Sequence, residues 1–98
     1  MTKGWFVGDF EPTAYRTGDF EVGVKEYKSG DYEPKHLHKL AKEFTVIVSG
    51  KVRMNGKEYG KGEIIQINEF EATDFECIED CVTVVVKTKS IKGDKYIQ

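Results

Sequence analysis

Short runs of β-branched and aromatic side chains, cut by glycine turns, dominate the chain. Phe44-Thr45-Val46-Ile47-Val48 is the strongest run. A nearly continuous run of this kind predicts a strand, Glu43 to Ser49, buried on both faces. Phe20, Val22 and Val24 alternate with Glu21, Gly23 and Lys25. That alternation predicts a strand with the apolar set inward and the polar set in water. Tyr27 falls outside this parity and reads as following a bulge or facing a second surface. Pro34 pre-sets an extended backbone for a short strand over Lys35 to His38.

Gly50 reads as a turn. Lys51 to Met54 and Lys57 to Tyr59 flank Asn55-Gly56, the preferred pair for a two-residue type I′ hairpin. Gly60-Lys61-Gly62 turns the chain into a strand over Glu63 to Ile67. Ala72 to Ile78 and Val82 to Lys87 read as two more strands, separated by a turn at Glu79-Asp80. Ser90 to Gln98 reads as a tail with a short docked piece at Tyr96-Ile97. No window has the length and period of a helix. About eight or nine short strands joined by tight turns predict an all-β fold, a small antiparallel β-barrel or jelly roll. The 98 residues form one domain, with an arm over 1–19, a barrel over 20–88 and a tail over 89–98.

Composition narrows the function classes. Fifteen Lys plus Arg against 17 Asp plus Glu give a net charge of −2, without the basic footprint that nucleic acid demands. The local excess at Lys87, Lys89, Lys92 and Lys95 reads as a solvated edge. No segment has membrane-spanning length and the start lacks a signal-peptide run, so the expectation is a cytoplasmic protein. Cys77 and Cys81 do not make a disulfide framework and read as reduced, half-buried thiols. The aromatics Trp5, Phe6 and Phe10 are expected to pack on the domain or on a partner subunit. A domain this small gains stability from pairing, so a homodimer is expected.

The only two histidines, His36 and His38, lie two apart and therefore share one face of a strand. The connector from Lys39 to Lys42 is short enough for a hairpin, which brings Glu43 beside them. Two imidazoles and a carboxylate suit one divalent transition metal, Fe, Mn, Ni, Zn or Co, and leave positions open for water or substrate.

Gly30 to Gly50 resembles the first motif of the cupin family, G-x5-H-x-H-x4-E-x6-G, at every specified position. The resemblance implies a single-domain cupin with His36, His38 and Glu43 as metal ligands. The family's second motif, G-x5-P-x-G-x2-H-x3-N, aligns from Gly62, but only the glycine matches. Asn68, Phe70, Thr73 and Cys77 stand where proline, glycine, histidine and asparagine are expected. Thr73 is therefore the candidate fourth position, with Asp74 and Cys77 as substitutes.

Thr45 and Ile47 share the face of Glu43, and with Gln66, Phe75 and Cys77 they are candidates to line a pocket. Tyr27, Tyr32 and Met54 are further candidates. Arg53 reads as an exposed hairpin charge or an anion clamp. These features fit a divalent-metal-binding cupin that binds or acts on a small organic molecule, as a dioxygenase, isomerase or lyase. A non-catalytic sensor or store, and a metal-free scaffold, are the rival readings.

Overall fold

The computed structural model describes residues 4–97; residues 1–3 and 98, the outer ends of the arm and tail, lie outside it. Eight strands follow one another: β1 (Trp5–Val7), β2 (Glu21–Tyr27), β3 (Tyr32–His38), β4 (Glu43–Met54), β5 (Lys57–Gly60), β6 (Ile64–Ile67), β7 (Thr73–Lys87) and β8 (Lys95–Ile97). All pair antiparallel, as the runs and turns predict. Asn55 and Gly56 both take positive φ, 50° and 79°, as a type I′ hairpin requires.

Two of the predicted turns are bends instead. β4 runs through Gly50, and β7 runs through Glu79 and Asp80. Each long strand belongs to two walls. The first half of β4 pairs β6 and the end of β7, while its second half pairs β5 and the middle of β7. β7 likewise carries β3 beside its first residues and β2 beside its last. The register slips between Ile47 and Val52, where the strands turn the corner. Gly50 permits this: its φ is +86°, and a Cβ there would stand 2.3 Å from the Asp80 carbonyl oxygen.

The central run is not buried on both faces. Thr45 and Ile47 point in, while Val46 is half-buried and Val48 exposed. β2 reverses its predicted parity. Glu21, Gly23, Lys25 and Tyr27 turn to the inside, and Phe20 and Val24 are exposed. Tyr27 thus keeps the parity of Lys25 and needs no bulge. Lys25 and Tyr27 face a cavity rather than a dry core, and the Trp5 ring lies on Gly23, 2.7 Å from where a Cβ would be. The N-terminal aromatics are accordingly half-buried on their own chain. The outward apolar surface lies elsewhere: Val24, Val84, Val46 and Ile64 form one cross-strand row over four strands.

Nor do β3 and β4 form a hairpin; β3 lies between β7 and β8. The tail is thus part of the wall. Ile47, Val52, Met54, Ile67, Phe75 and Cys77 form the core below the site. Both cysteines are free and fully buried, not half-buried.

Substituting Gly50 tests the corner. Gly50→Ala adds a Cβ against backbone in a left-handed conformation, so a loss of about 2 kcal/mol or more is expected by urea unfolding.

Candidate metal centre

His36 and His38 stand two apart on β3 and both turn into the barrel, 8% and 4% exposed. Their rings meet edge to face with centroids 5.5 Å apart. Glu43 opens β4, and its Oε2 lies 3.8 Å from His38 Nε2. One ligand atom from each of the three residues falls within 4.8 Å of the others.

The far side of each ring is held by backbone. His36 Nδ1 lies 3.0 Å from the Pro34 carbonyl, and His38 Nδ1 lies 2.8 Å from the Asp94 carbonyl. A carbonyl oxygen only accepts, so each Nδ1 carries the proton and donates it. Each Nε2 is then left with a lone pair, and that of His38 lies 3.8 Å from Glu43 Oε2. This is the arrangement by which protein histidines are prepared as metal ligands.

Asp94 does more than orient His38. Its buried carboxylate accepts hydrogen bonds from the backbone N–H groups of Lys39, Leu40 and Ala41 at 3.0–3.1 Å. The connector between the histidines and Glu43 is therefore shaped by the C-terminal segment. Burial is the main cause that lowers the pKa of His38, with the Lys87 charge next; the Glu43 carboxylate opposes both. His38 stays a neutral imidazole to lower pH than a solvated one.

A bulge between Glu33 and His36 adds a residue that sequence parity hides. Pro34 and Lys35 both face outward, so Glu33 faces the same interior as His36. Proline, with no N–H to donate, suits the unpaired position. Glu33 Oε2 lies 3.4 Å from the Tyr27 hydroxyl. Burial, and then the Glu33 charge, raise the Tyr27 pKa far above its ordinary value, so the phenol is a neutral donor.

An inner cavity of about 30 Å³ is lined by Glu33, His36, Glu43, Thr45, Thr73 and Phe75 among others. That volume admits a water or an ion. Thr73 is paired with His36 across the strands, and its hydroxyl donates to the Asp74 carbonyl at 3.1 Å. Thr73 also lines the cavity. Thr83, which the sequence reading passed over, also lines the cavity, with a buried hydroxyl that has no hydrogen-bond partner. Tyr27 and Met54 reach the cavity as well.

Other candidates lie away from it. Gln66 is exposed and donates to Asn68. Tyr32 is exposed; its neighbour Asp74 does border the inner cavity, but its carboxylate accepts from the Asn55 N–H. Ile47 is core, and Cys77 lies beneath the site, its sulfur 3.4 Å from that of Cys81. Arg53 is paired with Glu58 and Glu76 on the outside. Phe70 takes a positive φ of 64° at the position where the second motif has its glycine, and its N–H donates to the His38 carbonyl.

No protein-family model matches the sequence, and no curated protein matches it. Solved structures do. An uncharacterized conserved protein with a double-stranded β-helix domain from Klebsiella pneumoniae superposes with a TM-score of 0.75 at 19% identity, covering 83% of this chain and 71% of that one. The DMSP lyase DddQ from Ruegeria pomeroyi gives 0.76 at 16% identity, over 94% of this chain and 48% of that one. Bacillus subtilis oxalate decarboxylase, described with Mn(II) centres, gives 0.68 at 14% identity, over 83% of this chain and 24% of that one. The chain thus spans about half of the lyase and a quarter of the decarboxylase. At these identities the likeness is one of fold. The chain has the double-stranded β-helix of the cupins. Among the described residues, no helix is long and apolar enough to cross a membrane.

Two outcomes check the site's construction. Asp94→Ala orphans three backbone donors, so it is expected to cost about 2–3 kcal/mol in urea unfolding. The second concerns pH. Folded His38 holds its proton less readily than unfolded His38, so the unfolded chain binds more protons. Its contribution to stability is present above roughly pH 6.5 and is lost as pH falls through the lower folded value. Metal-free protein is expected to lose stability as pH falls below about 6.5, and His38→Gln to lose less.

Proposed function

We propose that this chain is a divalent-metal-binding cupin whose barrel takes up a small organic molecule. The observation that carries the reading is the pair of Nδ1–carbonyl hydrogen bonds, which leave two Nε2 lone pairs beside a carboxylate. Two neutral imidazoles and one carboxylate suit Fe, Mn, Ni, Zn or Co. His36, His38 and Glu43 are the residues that hold the ion, and Thr73 faces the position left open. When bound, such an ion supplies Lewis acidity and a coordination position for a substrate oxygen.

The chain's own groups do the rest. Glu33 is a carboxylate within the cavity that lies outside the three-residue ligand set, and it is the candidate proton acceptor. Tyr27, kept neutral by burial, donates a hydrogen bond to Glu33 or to a bound oxygen. Phe75 packs against Tyr27 in a tilted arrangement, with centroids 4.5 Å apart and planes at 41°, which fixes the phenol. The pairing of a base with a neutral donor supports proton transfer on the bound molecule.

Metal analysis by mass spectrometry on tag-free protein tests the reading. Wild type is expected to carry stoichiometric metal after reconstitution, and His36→Ala and Glu43→Ala to lose it. Thr73→His is expected to tighten binding by adding a fourth ligand, a third imidazole. No stoichiometric metal in wild type, or equal metal in wild type and both alanine variants, overturns it.

A further inference from the structure

Above the three candidate ligands the barrel opens into an outer cavity of about 310 Å³, at the small end for organic-ligand sites. Three lysines reach its lining from three strands: Lys25 from β2, Lys87 from β7 and Lys95 from β8. Lys87 and Lys95 belong to the run that reads in sequence as a solvated edge. The fold turns them to the mouth instead. Trp5 lies between Lys25 and Lys87, with the two ammonium nitrogens 5.2 and 5.1 Å from its ring centroid. Lys87 also lies 3.7 Å from Glu21 and is only 21% exposed at its side chain. Its ammonium is thus held in place rather than swinging in solvent.

Three lysines stand against Glu33 and Glu43 in the lining, and Glu21 beside it pairs with Lys87; a divalent cation at the histidines makes the whole set positive, at +2. A cleft of one sign concentrates ligands of the other. The wall between the lysines and the histidines carries Trp5, Tyr27 and Val85, which suits a short carbon skeleton.

We propose that the barrel's ligand is a small organic dicarboxylate or related carboxylate anion. One carboxylate lies at the His36–His38–Glu43 end, and the other charge is met by Lys87, Lys95 and Lys25 at the mouth. This rests on the metal-binding reading for its inner half only; the lysine rim is a separate feature.

Malonate and its neutral diamide, malonamide, are matched probes of this proposal. Isothermal titration of Mn(II)-reconstituted protein is expected to show malonate binding and malonamide binding at least ten-fold weaker. Lys95→Gln and Lys87→Gln are each expected to weaken malonate roughly ten-fold while leaving metal content unchanged. Lys95 is exposed at the rim, so its variant remains informative even where Lys87→Gln impairs folding. Equal affinity for the two probes, or malonate affinity unchanged in the lysine variants, overturns the proposal. If Mn(II) does not load, the metal reading fails by itself and the rim is tested on metal-free protein. There, lysine-dependent malonate binding supports the proposal, and its absence overturns it.

Discussion

The pairing of the two long strands, Glu43–Met54 and Thr73–Lys87, is the constraint on which the structure depends. Both strands bend at one corner, where Gly50 lies against Asp80, and each serves two walls of the barrel. A pair of straight strands gives an open sheet with edges. Bent strands curl the sheet and close it over its inner face. That closure places Glu43 at the start of one long strand and Thr73 at the start of the other, on the same cavity as His36. Sequence separation is large, but one strand, β7, joins them: it pairs with β4, and its Thr73 pairs with His36 of β3.

Inside, the residues divide by depth. Ile47, Val52, Phe75 and Cys77 fill the closed end with apolar contact. Polar side chains line the open end, and each has an identifiable partner or faces space. Buried polar groups without partners are costly. Thr83 is the exception, and its hydroxyl lies beside a cavity of water size. The same economy explains the histidines, because backbone carbonyls take one nitrogen of each ring and leave the other for chemistry.

Much of this was legible in the chain. The Asn55-Gly56 hairpin, the all-β class and the shared face of His36 and His38 follow from turn chemistry and the two-residue strand period. Three features were not legible, each for a physical reason. Parity on β2 misleads because its polar residues face a cavity, not solvent; apolar-in, polar-out holds only where the inside is dry. Glu33 was hidden by a bulge, which shifts parity by one residue without any mark stronger than Pro34. Asp94 was hidden by distance, since it lies 53 to 55 residues beyond the N–H groups it caps. Gln66 failed for a simpler reason, as its neighbours Ile65 and Ile67 already claim the inner face. Phe70 shows the converse: the residue departs from the second motif, yet its backbone keeps the positive φ that a glycine takes there.

The central claim is that the fold presents two imidazole Nε2 atoms and the Glu43 carboxylate to a divalent ion. Nitrogen NMR of the histidine rings reads this directly, in metal-free protein and during titration with Zn(II). Both rings are predicted to be Nδ1–H tautomers before metal, with both Nε2 resonances shifting together on stoichiometric Zn(II). Nε2-protonated rings in the metal-free protein, or Nε2 resonances that do not respond to Zn(II), would contradict the account.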